Sequence, residues 1–201
     1  MKQLEIPRFA EDLGVLLSQE QVSALEAFTA LLAGQGVQLG LIAAGDAQRI
    51  RERHVLDCLR SVLEVAGSPT ALDLGSGAGL PGLVVAIAVP DTRVTLVERR
   101  QRRAAFLEMA IRDLGVTNAS VVAESTEEIR LRAQVCLARA FAPIEESWRS
   151  ASGLLESGGR LVYFGGKSFT AVPELPGARG SRLSPCPLLE SAGPLVIITS
   201  E

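Results

Sequence analysis

A chain of 201 residues holds one domain with a full core and an appended element, and is short for two independent domains. Its 47% hydrophobic and 21% charged residues are those of an ordinary globular protein and exclude wholesale disorder. A net charge of −3 supplies no global field for nucleic acid, so such a partner needs a local basic face.

Segment 1–66 carries helical periodicity. Leu13, Leu16 and Leu17, then Val22, Leu25, Phe28, Leu31 and Leu32, recur at three- and four-residue steps, and a second helical pattern runs from Asp46 through Ile50, Val55, Leu59, Val62 and Leu63. This segment is expected to be an N-terminal helical extension, with 67–201 forming the core of one compact unit. The first residues, MKQLEIPRFAEDLG, lack the apolar stretch of a secretory signal, and the longest apolar run, Leu83 to Val89, is far too short to span a bilayer. The expectation is a cytoplasmic protein without membrane contact. The single histidine, His54, excludes a multi-histidine metal site, and Cys58, Cys136 and Cys186 are too scattered for a metal cluster or a disulfide framework, so no metal is expected.

From Thr70 onward short apolar runs alternate with helical stretches, which is the pattern of a mostly parallel sheet covered on both faces. Strands are expected at Thr70 to Leu74, Arg93 to Val97, Ser120 to Ala123, Gln134 to Leu137, Arg160 to Phe164 and Leu195 to Thr199. Helices are expected near Pro81 to Val89, Gln101 to Leu114 and Pro143 to Leu155, with a further stretch, Phe169 to Leu175, also read as helical. Four prolines within 173–187 make that region mostly loop or edge structure. The fold class is a doubly wound, Rossmann-like α/β domain.

The turn Asp73-Leu-Gly-Ser-Gly-Ala-Gly-Leu-Pro-Gly82 at the end of the first strand is the most informative segment. Glycine admits positive φ and close ligand approach, and the carboxyl end of this strand is where doubly wound sheets bind nucleotides. Glu98 ends the second strand, where a carboxylate can accept both hydroxyls of a ribose. A dinucleotide fingerprint requires a third glycine at position 80, which is Leu80, and no Gly-Lys-Ser/Thr follows to make a P-loop. The acidic Asp73 ahead of Gly75, Ser76, Gly77 and Gly79 matches the turn that usually binds S-adenosylmethionine, whose amino-acid end Asp73 can address. The run Arg99-Arg-Gln-Arg-Arg103 opens the next helix against the helix dipole, which suggests an anionic partner or a solvated face.

With Arg53-His-Val-Leu-Asp57 before it and Ala138-Arg-Ala-Phe-Ala-Pro143 after it, the Leu-Pro-Gly ending of this turn resembles the bacterial small-subunit ribosomal RNA methyltransferase G family, also called glucose-inhibited division protein B, over about Gly40 to Lys167. The resemblance implies S-adenosylmethionine as cofactor and N7 of a guanine in small-subunit (16S) ribosomal RNA as methyl acceptor. It implies that Gly75 and Leu80 line the methionine and ribose side, that Glu98 holds the ribose, and that Thr126 and Glu127 meet the adenine edge. Arg139 would then lie at the cofactor or substrate end of the fourth strand, and Lys167 would be the family's lysine after the fifth. The chain departs from the family at Ser125, where arginine is usual, at Gly40-Leu-Ile, and in its non-basic end.

N7 of guanine keeps an in-plane lone pair at neutral pH, so this reaction needs alignment and no general base. The substrate-side candidates are His54, Arg139 and Lys167, expected to join Arg49, Arg51 and Arg53 in one basic patch. Each has a plainer reading: a packing or capping histidine, an arginine paired with Glu127 or Asp57, a solvated lysine. A small-molecule or protein methyltransferase of the same fold is the alternative.

Overall fold

In the computed structural model, which describes residues 4–184, 188–189 and 192–201, seven strands form a single sheet in the order β3-β2-β1-β4-β5-β7-β6. The strands are β1 (Thr70–Leu74), β2 (Arg93–Val97), β3 (Ala119–Val122), β4 (Ala133–Ala138), β5 (Leu155–Phe164), β6 (Ala178–Ser184) and β7 (Leu195–Ser200). The first five pair in parallel, while β7 runs antiparallel to both β5 and β6. The order reverses between β1 and β4, so a crevice opens at the carboxyl ends of these two strands.

Alternation along the strands divides the core in two. Ala71, Val94, Leu96, Val135 and Leu137 face one side with α5 (Gly82–Ala88) and α6 (Gln101–Asp113), and the N-terminal helices pack on that same side. Leu72, Leu74, Val97, Cys136 and Ala138 face the other, covered by Ile144, Trp148 and Ala151 of α7 (Ile144–Ser152). Central strands buried on both faces explain why β1 and β4 read as nearly continuous apolar runs.

The N-terminal segment contains α1 (Ile6–Asp12) and α2 (Gln19–Leu31), a π-type turn Leu32–Gly36, a 3₁₀ turn Ala44–Arg49, a second π-type turn Arg51–Leu56, and the short α3 (Asp57–Leu59) and α4 (Val62–Val65). Ser18 caps α2 in a reciprocal box with Gln21, whose side chain also donates to the Ile87 and Ala88 carbonyls at the end of α5. Those two carbonyls belong to the last turn of α5, which has no internal donors for them.

Two expectations are corrected. Phe169 to Leu175 forms no helix: Pro173 and Pro176 remove amide donors across it, and Phe169 instead packs its ring 6.2 Å from Tyr163. The fifth strand starts at Leu155 rather than Arg160, because Gly158 in a left-handed conformation and a register shift against β4 carry the chain through the polar Glu156–Gly159 stretch. The proline-rich 173–187 region contains the exposed edge strand β6, while 185–187, with Cys186, lie outside the described residues. Cys58 and Cys136 are buried free thiols whose pKa values burial pushes up. Among the described residues no group of His, Cys, Asp and Glu side chains could hold a metal ion, and no helix is long and apolar enough to cross a membrane.

Candidate active site

The glycine turn leaves β1 with Gly75, Gly77 and Gly79 all at positive φ (66°, 57° and 86°). At Gly75 a Cβ would lie 2.6 Å from the Phe141 ring, and at Gly79 one would lie 2.7 Å from Leu83. Both positions thus require glycine for conformation and for space. Ser76 closes the turn: its amide donates to the Val97 carbonyl and its hydroxyl to the Asp73 carbonyl. The Leu80–Pro81 peptide is cis, and the Leu80 side chain is part of the core.

Asp73 is 1% exposed. Its Oδ2 accepts from the Gly82 amide at 3.0 Å, at the first residue of α5, while Oδ1 has no hydrogen-bond partner. Burial raises its pKa to about 7. Glu98, also buried, receives the Gly77 amide on Oε2 (3.1 Å) and the Arg100 amide on Oε1 (2.9 Å), with Arg103 Nη1 3.8 Å away. The carboxylate at the end of β2 therefore fastens the glycine turn to the start of α6 and keeps lone pairs on both oxygens.

Gly75, Glu98, Thr126, Glu127 and Phe141 line one cleft of about 390 Å³ at the carboxyl ends of β1 to β4. Thr126 is buried with its hydroxyl 3.2 Å from Glu127, which is exposed. Phe141 sits in the loop after β4, where Ala140 adopts φ 51°, a left-handed conformation that costs a non-glycine residue roughly 1–2 kcal/mol. Ala142 anchors that loop: its carbonyl accepts from Ser147 Oγ (3.0 Å) and Tyr163 Oη (3.2 Å).

Arg139, at the end of β4, reaches back to the N-terminal segment. Its Nε donates to Asp57 Oδ2 (3.3 Å), and Nη2 donates to the Arg53 carbonyl (3.1 Å) and lies 3.0 Å from His54 Nδ1. His54 is 9% exposed. Burial, and then the Arg139 charge, lower its pKa to about 4, so the imidazole is neutral near pH 7. Lys167 is exposed, in the loop after β5.

The expected single basic patch is not formed. Arg51 pairs with Glu26, Arg53 with Asp46 and Arg139 with Asp57, and His54 carries no charge at neutral pH. Of that set Arg49 and Lys167 are the two without an ion pair among the described residues, whereas exposed Arg99, Arg100 and Arg102 stand at and beside the cleft rim, equally unpaired. Of the two partners that the sequence offered Arg139, the structure selects Asp57 over Glu127. Sequence reasoning missed Phe141, Asp46 and the bond of Asp57 to Arg60. The first had a signal, being an aromatic residue just past the end of a central strand; the other two had none.

Known proteins resemble this chain in sequence and in fold. The sequence profile of the family described as "rRNA small subunit methyltransferase G" (GidB) matches residues 21–173. The ribosomal RNA small subunit methyltransferase G of a Nocardioides species is 39% identical over 171 residues, covering 84% of this chain and 67% of the relative. That of Salinispora tropica is 42% identical over 165 residues, covering 78% and 67%. The chain thus spans about two thirds of the length of these relatives. Among solved structures, a mutant of MtNAS in complex with S-adenosylmethionine superposes with a TM-score of 0.62 at 16% identity, over 98% of this chain and 77% of that one, a likeness of fold. With more than half of the chain matched by its profile, this protein belongs to the rRNA small subunit methyltransferase G family.

Proposed function

We propose that the chain methylates N7 of a guanine in small-subunit ribosomal RNA, with S-adenosylmethionine bound in the cleft between the glycine turn and Glu98. The observation that carries this reading is the joint presence of three left-handed glycines, a buried Glu98 and an open cleft at the reversal of strand order, in a member of this family.

The residues present fit that cofactor. Gly75 borders the cleft beside Phe141, a Cβ at Gly77 would meet nothing closer than 3.7 Å, and Glu98 retains acceptor capacity for two ribose hydroxyls. Thr126 and Glu127 offer polar groups to an adenine edge, and Phe141 adds an apolar wall. Asp73 Oδ1, buried and unpartnered, is an acceptor still open to a donor such as an ammonium entering beside the turn. Leu80 and Ser76 serve through the backbone they fix. When bound, S-adenosylmethionine supplies an electrophilic methyl group on a sulfonium sulfur.

The chain's own part is alignment. N7 of guanine is already unprotonated, so no group has to remove a proton. Arg139 and Lys167, beyond the ends of β4 and β5, are the substrate-side groups of this reading. RNA phosphates would be met by the unpaired cations at the rim, Arg99, Arg100 and Arg102, together with Arg49 and Lys167.

The test incubates the purified chain with labelled S-adenosylmethionine and either small subunits or naked ribosomal RNA, followed by mass spectrometry of the nucleosides. Label in 7-methylguanosine is the expected result. Label in protein or in a small molecule only would transfer the site to the alternative substrate class. Replacing Arg99, Arg100 and Arg102 together by serine is expected to flatten the salt dependence of RNA binding by about 0.7 in logarithmic slope for each phosphate that is no longer neutralised.

A further inference from the structure

Arg139 is held on three sides. Beyond its bonds to Asp57, Arg53 and His54, its Cζ lies 6.0 Å from the centre of the Phe164 ring at the end of β5. Asp57 is itself fixed, since its Oδ1 accepts from Arg60 Nη1 (2.7 Å) and Arg60 Nη2 donates to the Gly193 carbonyl (2.9 Å). One π-type turn and the first residue of α3 thereby supply every polar partner of Arg139 among the described residues.

Arginine can only donate, so the His54 nitrogen that meets it at 3.0 Å presents a lone pair. The imidazole hydrogen then sits on Nε2, which faces Asp46 Oδ2 at 3.7 Å. The lone pair of a neutral His54 is occupied, which removes it as a base. On Arg139 the accounting is equally tight: Nε and Nη2 are committed, and Nη1 is the guanidinium nitrogen without a partner among the described residues.

We infer that His54 and Asp57 are positioning residues that act on methyl transfer through Arg139, holding its guanidinium so that Nη1 alone is left for a ligand. This rests on the functional reading above for its kinetic consequence, while the clamp itself does not. An unrestrained arginine spreads its donors over many rotamers, and a reacting partner misplaced by about 1 Å can cost roughly 100-fold in rate. His54 has its only lone pair engaged by Arg139, and each Asp57 oxygen is tied to an arginine, Oδ1 to Arg60 and Oδ2 to Arg139.

The experiment measures kcat and KM on small subunits for His54→Ala, His54→Asn and Asp57→Asn, together with nitrogen NMR of the imidazole, which is assignable because the chain has one histidine. Asparagine puts an amide oxygen near the place of Nδ1. His54→Asn is therefore expected to stay within about threefold of the parent kcat, while His54→Ala and Asp57→Asn lose about 10- to 100-fold in kcat with a smaller change in KM. The parent spectrum is expected to show the Nε2–H tautomer at neutral pH, and Arg139→Ala to release it to a tautomer mixture. A parent-like kcat for His54→Ala, equal losses for the alanine and asparagine variants, or a protonated or Nδ1–H imidazole would each overturn the inference. Should the parent methylate neither subunits nor naked RNA, the functional reading falls, and the histidine spectrum decides the clamp separately.

Discussion

Glu98 joins two tasks in one side chain. Its oxygens take the Gly77 and Arg100 amides, and the lone pairs that remain face the cleft proposed for the ribose. Glu98→Gln keeps the shape but turns an NH₂ group toward one of those amides. Cofactor binding, measured by calorimetry, is expected to weaken by about 1.5–3 kcal/mol, the range for a hydrogen bond to a charged group. A lower melting temperature with an unchanged dissociation constant would leave Glu98 a fastener of the turn and put the ribose contact elsewhere. Gly82 gives the complementary case. A Cβ there would overlap the Leu96 side chain and lie 2.6 Å from Asp73 Oδ2, so Gly82→Ala is expected to destabilise the fold by about 1–3 kcal/mol, read as a shift in the urea midpoint.

At the scale of elements, legibility followed the range of the forces involved. The turn from β1 to α5 could be read because glycine spacing is a local statement about φ, and β1, β2 and β4 because burial on both faces leaves nearly continuous apolar runs. Strand β6 could not: Ala-Arg-Gly-Ser-Arg-Leu-Ser has no apolar alternation, and the strand exists because β7 offers it a ladder of hydrogen bonds. The site was legible in the same measure. Glu98 and the glycines are defined by neighbours in sequence, whereas the pairing of Arg139 with Asp57 spans 82 positions, so the sequence offered Asp57 only beside Glu127 and the fold decides between them. The junction of α2 with α5 is a testable element of this kind. Ser18→Ala removes one cap and is expected to cost about 1 kcal/mol. Gln21→Ala removes its half of that box and both side-chain bonds to the α5 carbonyls, so it is expected to cost more, about 1–3 kcal/mol in urea unfolding. Equal losses would mean that water replaces Gln21 at those carbonyls without penalty.

For the whole molecule, two buried groups pull stability in opposite directions as pH changes. Burial lowers His54 from 6.5 to about 4, so between those values the unfolded chain binds a proton that the folded one refuses. The contribution of His54 is complete above pH 6.5 and declines as pH falls toward 4. Asp73 has the reverse sign: burial raises it from 3.8 to about 7, so its protonated form favours folding below 3.8 and that contribution is lost as pH rises through about 7. Where the two windows overlap, between about pH 4 and 6.5, the folded chain gains one proton and refuses another, and the two slopes cancel. The parent is therefore expected to show little pH dependence from this pair across that range. His54→Asn, which keeps the bond from Arg139 but cannot titrate, should expose the Asp73 slope, with stability falling by up to about 1.4 kcal/mol per pH unit as pH rises. Asp73→Asn, with its amide oxygen left to accept from Gly82, should expose the His54 slope in the opposite sense. Urea unfolding of the three proteins at several pH values reads both slopes. Parallel profiles for the parent and both variants would mean that neither group changes its proton affinity on folding, and that the Oδ1 of Asp73 and the imidazole of His54 are reached by water in solution.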